Sequence, residues 1–271
     1  MKTLVVGANG FLGSRVALQA LNKGWEVLAI YHKNVNNIPK GCKKIRLNNI
    51  DSIKDRVDRV FLSVGNFSQN QKQLNEVNNR VTNLFCKKYK KAKIVFVSSV
   101  AVYGSHKGII SKKSSFNNPN YYGLSKISGE NIVSNHPKYS IIRLTYLYGK
   151  GMKSTSFLPT IINQALKRGL ITLHGDGSRK QDYLHVNDAA DLCIRAGETK
   201  ENNIYLGVTG YSLSNLEVAK TIQKLIPDCK IRFKGEDQTP SYVFQKDEAT
   251  TRLGWKLKYS FEKGLKEIIK V

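Results

Sequence analysis

A tyrosine followed four positions later by a lysine places a phenol and an ammonium on one face of a helix. Oxidising a hydroxyl requires a base to take its proton while hydride leaves the same carbon, and reduction is the reverse. A free phenol titrates near ~10, so work at neutral pH asks its pKa to fall by roughly three, about 4 kcal/mol of preferential phenolate stabilisation. A neighbouring cation supplies such a stabilisation. The spacing alone selects nothing here, because Tyr89/Lys93, Tyr103/Lys107, Tyr122/Lys126, Tyr146/Lys150, Tyr242/Lys246 and Tyr259/Lys263 all satisfy it. Context selects Tyr122 and Lys126. They head a helix expected over 122–135, after a strand that ends in Ser98-Ser99 and before a strand expected over 140–144.

A second motif lies at the start of the chain. Gly7-Ala8-Asn9-Gly10-Phe11-Leu12-Gly13 follows a β-branched run at once and opens a helix. Glycines in that position let backbone N–H groups approach a pyrophosphate at a helix N-terminus, where the partial positive charge holds it. The hydride partner is therefore expected to be a dinucleotide, whose cationic nicotinamide ring adds to the charge that Lys126 brings to the phenol. An acidic residue belongs about 20 positions on if the adenosine ribose is that of NAD. The second strand ends instead in Tyr31-His32-Lys33, and these cations suit a 2′-phosphate, so NADP is favoured over NAD. Asn48 and Asn49 after the third strand are placed to bond the adenine edge, and Val64-Gly65 after the fourth lets a cofactor lie close to the backbone.

Elements that position these motifs are legible in the apolar periodicity. Strands are expected at 3–6, 27–31, 44–47, 59–64, 94–98 and 140–144, with helices at 11–22, 71–89 and 122–135, the alternation of βαβ units wound into a parallel sheet. Beyond Gly149 the rhythm changes to helices near 157–167, 187–199 and 214–225, with short strands around Ile171, 181–185 and 204–207. Two parts are expected: 1–148 for the dinucleotide and 149–271 for the substrate, with some of the later segments returning to the sheet. The cleft belongs at the carboxyl ends of the strands.

Composition sets the outer bounds. The 271 residues are 41% hydrophobic, with 21 Gly and 6 Pro, which excludes a disordered or collagen-like chain. No apolar run approaches the ~20 residues that cross a bilayer. With Cys42, Cys86, Cys193 and Cys229 scattered, this reads as a reduced cytoplasmic protein. Lys and Arg number 44 against 20 acids, a formal net charge of +24. Such a field concentrates anions, yet the lysines are spread along the chain and form no stripe, so the excess reads as compositional.

The ordered set of motifs resembles the extended short-chain dehydrogenase/reductases, specifically the NAD-dependent epimerase/dehydratase family. The matching residues are Gly7, Gly10 and Gly13, then Val97-Ser98-Ser99-Val100-Ala101-Val102-Tyr103-Gly104, then Tyr122-Gly123-Leu124-Ser125-Lys126 with Gly129-Glu130. Arg143 ahead of Tyr148-Gly149, Gly175-Asp176-Gly177-Ser178 before Asp182-Tyr183, and Leu253-Gly254-Trp255 continue it to the end of the chain. The resemblance implies an α/β fold, a Rossmann-type doubly wound parallel sheet with a smaller C-terminal α/β substrate-binding part. It implies Ser99, Tyr122 and Lys126 as catalytic residues, Ser99 ranking above Ser98 by its distance from the Val-Tyr-Gly turn. The cofactor-binding set is Gly7, Gly10, Phe11, Leu12, Gly13, His32, Lys33, Asn49, Val64 and Gly65, joined by Tyr122 and Lys126.

Departures from the family narrow the chemistry. Dehydratases of the family carry an acidic pair after the catalytic hydroxyl residue, where this chain has Val100-Ala101, and a cysteine for epimerisation beside a ketone is likewise absent from position 100. Simple redox at C4 is left: a 4-keto reductase, or an epimerase that oxidises and reduces the other face. A nucleotide-activated sugar is the implied substrate. The arginine that grips its diphosphate is Gln181 here and the asparagine near the sixth strand is Tyr146, with Lys180 or Arg179 available for the phosphate; substrate contacts are thus expected at Ser99, Tyr146, Lys180 and Gln181. Two other readings stay open, a non-catalytic NAD(P)-binding protein with nucleic-acid affinity and a reductase of a small carbonyl compound.

Weaker signals are read conservatively. Lys87-Lys88-Tyr89-Lys90-Lys91 mixes cations with an aromatic, as nucleic-acid surfaces do, but it falls at a helix C-terminus, where cations complement the dipole. The histidines at 32, 106, 136, 174 and 185 have no ligand spacing, so no metal is expected. Asn187 or Asp188 is expected as a helix cap. The family often dimerises through the helices 71–89 and 122–135, with Lys87–Lys93 opposing that pairing unless it points outward.

Overall fold

A computed structural model describes residues 1–65, 74–152 and 156–269. The first part runs β1 (Lys2–Val6), α1 (Phe11–Asn22), β2 (Glu26–Tyr31), β3 (Lys43–Arg46) and β4 (Arg59–Leu62). It continues with α2 (Val81–Lys88), β5 (Lys93–Ser99), β6 (Ile109–Ile110), α3 (Tyr121–Ser134), β7 (Tyr139–Leu144) and β8 (Tyr146–Tyr148). The second part contains α4 (Phe157–Arg168), β9 (Leu170–His174), β10 (Lys180–Gln181), β11 (Tyr183–His185), α5 (Val186–Glu198) and β12 (Asn203–Gly207). Then come β13 (Leu213–Ser214), α6 (Asn215–Leu225), β14 (Lys230–Lys234), β15 (Val243–Phe244), α7 (Glu248–Arg252) and α8 (Phe261–Ile269).

Val, Ile and Leu fill β1, β4 and β5 with residues buried on both faces, which only a sheet covered by helices on each side accommodates. Seven parallel strands lie in the order β12-β7-β5-β4-β1-β2-β3 among the described residues. The chain starts at β1, winds outward to β3, then returns to β4 on the other side, so the strand order reverses between β1 and β4. A doubly wound Rossmann-type sheet opens its ligand crevice there, at the carboxyl ends. At one edge β3 exposes Lys43, Lys44 and Arg46, charges that discourage pairing with another chain.

One face of the sheet is covered by α1 and α5, whose small residues Ala17, Ala20, Ala189, Ala190 and Ala196 let the helices approach closely. On the other face α2 and α3 pack over Phe85, Ile94, Phe96 and Ile141. A separate core of Leu158, Ile161, Leu173, Val218, Ile222 and Leu265 holds α4, α6, α8 and β9 together. α6 begins with a capping box in which the Ser214 hydroxyl accepts from Glu217 N at 3.1 Å and the Glu217 carboxylate accepts from Ser214 N at 2.7 Å.

Strand ends differ from the sequence reading where a turn has a job. The strand read as 59–64 stops at Leu62, freeing Ser63-Val64-Gly65 as a loop beside the glycine turn. The single strand read over 181–185 is two strands, parted at Asp182. That side chain is buried and accepts from Thr209 N at 3.0 Å, Thr209 Oγ1 at 2.5 Å and Gly210 N at 3.1 Å. The strand over 203–207, read with the C-terminal elements, pairs with β7 in the large sheet. The first residues of the helix read over 71–89 lie outside the described residues; from Asn75 to Arg80 the chain is π-helical and then becomes α2.

Neither Asn187 nor Asp188 caps α5. His185 does, its Nδ1 accepting from Asn187 N at 3.3 Å, while the buried Asp188 carboxylate accepts from the backbone of Lys258 and Tyr259.

Gly129 fixes how close α3 comes to the sheet, since a Cβ there would sit 2.5 Å from Phe96 Cζ on β5. Gly129→Ala is expected to push α3 off β5 and to cost about 2 kcal/mol or more of stability, read as a lowered urea midpoint.

Candidate active site

Three strands and two helices converge on one place. The glycine turn leaves β1 with Gly7 at φ +81°, a conformation side chains resist, and a Cβ on Gly13 would lie 2.2 Å from Gly7 O and 2.7 Å from Ser63 Oγ. Ser63 Oγ donates to Val6 O at 2.7 Å, which seals the turn onto β4. α1 then starts at Phe11 with Gly10 as its cap, no side-chain cap bond and no acid in its first turn, so the positive end of the helix is left for an external anion. Gly7, Gly10, Phe11, Leu12 and Gly13 thus form a cradle of the shape and charge a pyrophosphate fits.

The ribose end is built differently. His32 and Lys33 follow β2 in an exposed loop, and no carboxylate stands with them. The same loop is tied back to the glycine turn by asparagines: Asn37 N donates to Asn9 Oδ1 at 2.8 Å, Asn37 Nδ2 donates to Asn9 O at 3.1 Å, and Asn9 Nδ2 donates to Asn34. Asn49 is exposed in the short 3-10 segment after β3, whose regular turn it interrupts at φ −104°, ψ 18°.

β5 and α3 bring the chemistry together. Ser99 ends β5, its Oγ accepts from Ala101 N at 3.1 Å, and it hydrogen-bonds the Tyr122 side chain. Ser98, on the opposite side of the strand, donates instead to Glu130 at 2.5 Å. Asn120 caps α3 by accepting from Gly123 N at 2.9 Å, which sets Tyr122 in the first turn. Lys126, one turn later, is 2% exposed, with Nζ donating to Val97 O at 3.0 Å and to Val64 O at 3.2 Å. Its ammonium lies 5.8 Å from the Tyr122 ring centroid and 5.1 Å from that of Phe96. Ser99, Tyr122, Lys126, Val64 and Gly7 therefore meet as the sequence anticipates.

The electrostatics differ from that anticipation. Burial pushes the Tyr122 hydroxyl up to about 12, with the Ser99 hydrogen bond acting against it, and the expected fall through Lys126 is absent in the protein alone. Lys126 is itself pushed down to about 8 by burial, partly offset by Glu130. The reason is the lysine's own shift: at about 8 it has lost its charge before Tyr122, at about 12, releases its proton.

Of the expected substrate residues, Ser99 ends β5, Tyr146 stands on β8, and Lys180 and Gln181 form β10. Tyr146 packs edge-on against Tyr183 at 5.3 Å and its hydroxyl bonds Ser156. Lys180 is exposed, and Gln181 accepts from Arg179 Nη2 at 3.5 Å. A cavity of about 510 Å³ is lined by residues that include Phe157, Thr172, His174, Arg179, Glu236 and Asp237, with Tyr146, Lys180 and Gln181 outside its lining.

Two features escape the sequence reading. Asn78 is buried in the π-helical turn and donates to Ser125 Oγ at 2.8 Å, which in turn donates to Tyr122 O at 2.7 Å. A π-turn has no sequence signature comparable to a glycine loop, although π-turns favour functional places. The Glu130–Arg143 pair joins α3 to β7; its members are 13 residues apart and on different elements, so only the fold reveals the contact.

A dinucleotide cradle at the switch point of a doubly wound sheet, with a serine, a tyrosine and a buried lysine beside it, defines the short-chain dehydrogenase/reductase class. The sequence model of the NAD dependent epimerase/dehydratase family matches residues 3–206, and the chain belongs to that family. It is 29% identical over 269 residues to dTDP-D-glucose 4,6-dehydratase of Dictyostelium discoideum, covering 82% of this chain and 61% of that protein. It is 26% identical over 311 residues to UDP-glucose 4-epimerase of Lactobacillus helveticus, covering 96% of this chain and 93% of that protein. Among solved structures, UDP-glucose 4-epimerase of Thermotoga maritima with UDP-glucose is similar at a TM-score of 0.87 and 21% identity, over 100% of this chain and 98% of that one. UDP-glucuronic acid 4-epimerase of Bacillus cereus with NAD gives 0.84 and 22% over the same shares, 100% and 98%. At these identities the structural likeness speaks for the fold.

Lys126 and Lys93 are both held well below the ordinary lysine value, each at about 8, because burial disfavours the ammonium. At these two lysines the unfolded chain binds more protons than the folded one between about pH 8 and the ordinary value near ~10.4, so their contribution to stability rises with pH across that window, against the opposite contribution of thiols that burial raises, such as Cys86 at about 11. Each lysine contributes on the order of 3 kcal/mol to the rise. Lys126→Met is expected to remove about half of this lysine contribution, read as the wild-type-minus-variant difference in urea titrations run from pH 7.5 to 10.5.

Proposed function

We propose that the protein is an NAD(P)-dependent oxidoreductase or epimerase acting on a nucleotide-activated sugar, by 4-keto reduction or by 4-epimerisation. The observation that carries this reading is Tyr122 with the buried Lys126 one turn along, its ammonium held by Val64 O and Val97 O beside the glycine cradle and 5.8 Å from the Tyr122 ring centroid. Nicotinamide, when bound, supplies the hydride acceptor and donor. Gly7, Gly10, Phe11, Leu12 and Gly13 hold its pyrophosphate, Val64 and Gly65 give it a close backbone wall, and Asn49 serves the adenine. Tyr122 takes the proton of the sugar hydroxyl as a ketone forms and returns one on reduction. Ser99 hydrogen-bonds the same oxygen and fixes its distance from Tyr122. Lys126 stabilises the phenolate by its charge. Tyr122 is raised to about 12 in the protein alone, so the added positive charge of the oxidised ring is a required part of the account.

The substrate class is supported by the relatives named above; Arg179, which lines the cavity beside β9, and Lys180 next to it in sequence are the cations available for the diphosphate in place of the missing arginine. Val100 and Ala101 follow Ser99 in a 3-10 turn and bring no acid, which favours redox alone over dehydration. Exposed His32 and Lys33 with no carboxylate support NADP as the preferred cofactor. The four free cysteines suit the reducing cytoplasm, and no helix among the described residues is long and apolar enough to cross a membrane. A homodimer through α2 and α3 is supported by exposed Leu84 and Leu124. Lys93 does not oppose that pairing, because its Nζ is turned inward to Glu201 O at 2.6 Å.

Tyr122→Phe is expected to lower kcat by a factor of about 10² to 10⁴ while dinucleotide affinity stays within a few-fold of wild type, measured by steady-state kinetics and fluorescence titration. Near-normal turnover would refute the assignment. NADPH is expected to bind more tightly than NADH, with Lys33→Ala reducing that preference by about tenfold; tighter NADH binding would reverse the cofactor assignment.

A further inference from the structure

Behind the Ser99–Tyr122–Lys126 cluster lies a second, buried layer of charge. Glu130 is the one acid of α3 and sits a turn beyond Lys126 on the same face, both side chains buried. Its carboxylate accepts from Ser98 Oγ at 2.5 Å, from Arg143 Nε at 3.0 Å and from Arg143 Nη2 at 2.7 Å. Arg143 continues the layer: its Nη1 donates to Tyr103 Oη at 3.0 Å and to Lys112 O at 3.4 Å, and its guanidinium stacks over the rings of Tyr103 and Phe116. Glu130 therefore links α3, which carries Tyr122 and Lys126, to the last turn of β5, which carries Ser99, and to β7.

We propose that Glu130 is a positioning residue that sets both the geometry and the charge of this site: it fixes α3 against β5 through Ser98 and gives the buried Lys126 ammonium its counter-charge. The consequence for turnover rests on the reading of Ser99, Tyr122 and Lys126 as the active site, whereas the effect on Lys126 does not. The geometry distinguishes the two cations. Arg143 is saturated by Glu130, Tyr103 and two aromatic faces, while among the described residues Lys126 bonds neutral carbonyls and has Glu130, one turn along the same helix face, as the acid whose charge reaches it. Among the described residues, the other titratable and polar groups of α3 and of the elements around it bring Lys126 no negative charge. Tyr122 of α3 and Tyr103 of the 100–103 turn are phenols raised by burial, Ser98 and Ser99 of β5 are hydroxyls, and Asn78 of the π-helical turn is an amide. Cys86 of α2 is a thiol pushed up to about 11, and Arg143 of β7 is a cation. Asp247 is taken up elsewhere, with Lys112 at 3.7 Å and Leu206 N at 2.8 Å.

The test is a lysine-Cε NMR titration of the full-length protein labelled with ¹³C-lysine, with Lys126 and Lys93 assigned from Lys126→Met and Lys93→Met. Lys93 is the internal control, since it is buried at the opposite end of β5 against Glu201 O. In Glu130→Gln, which keeps an acceptor for Ser98 and loses the charge, the Lys126 midpoint is expected to fall by about one pH unit while Lys93 stays fixed. Glu130→Asp, which keeps the charge, is expected to hold the midpoint near wild type. An unmoved Lys126 in Glu130→Gln, or equal movement in the Gln and Asp variants, would overturn the proposal. Should Glu130→Gln not fold alone, Arg143→Met is compared with Glu130→Gln/Arg143→Met, which differ only in the Glu130 charge: the Lys126 midpoint is expected to be lower in the double variant, and equal midpoints would overturn the proposal. Titration as expected in a protein that binds no dinucleotide would reject the enzymatic reading and leave the role of Glu130 standing.

Discussion

An ammonium withdrawn from water costs several kcal/mol unless hydrogen bonds and opposite charge restore what solvent gave. Lys126 meets that cost with two carbonyls, Val97 O from β5 and Val64 O from the loop after β4, and with Glu130 behind it. Those carbonyls are available because the two strands end there, at the crevice of the doubly wound sheet. The same bonds that make the charge tolerable also fix α3 to the edge of the cofactor groove. Position and charge of the lysine are thus one constraint, and Tyr122 inherits its place from it through a single helical turn.

The rest of the architecture serves this arrangement by closeness of approach. Gly13 brings α1 against the glycine turn, and Gly129 brings α3 against Phe96. Each removes one Cβ where an ordinary side chain would open a gap between helix and sheet. The uncapped N-terminus of α1 then faces the same crevice as Tyr122, so an anion-binding helix end and a proton-transferring phenol act on one bound molecule. Tyr146 packs edge-on against Tyr183, and the buried Asp182 next to it clamps Thr209 and Gly210, so β8 and β11 are tied to the loop after β12.

Much of this was legible beforehand for identifiable reasons. Buried parallel strands announce themselves as Val/Ile runs, so β1, β4, β5 and β7 fall within two residues of where periodicity places them. The glycine turn is readable because only glycine tolerates that geometry, and Tyr122/Lys126 because helix and strand context separates it from the other tyrosine–lysine pairs. What periodicity cannot see is partnership across elements. The Glu130–Arg143 pair, the split of 181–185 at Asp182 and the bond from Asn78 to Ser125 depend on residues 13 to 47 apart meeting in space. Burial likewise reversed the direction expected for Tyr122, since a sequence shows that a lysine is near but not that both groups are withdrawn from water, which raises the phenol and lowers the ammonium.

The account turns on a phenol that is a weak acid in the empty protein and a stronger one when a cationic ring lies beside it. Ultraviolet difference titration of wild type minus Tyr122→Phe isolates this one phenolate among 13 tyrosines. Without dinucleotide its midpoint is expected far above neutrality, and saturation with the oxidised cofactor is expected to bring it down by three or more pH units. A midpoint that stays near its value in the free protein when the oxidised dinucleotide is bound would contradict the account.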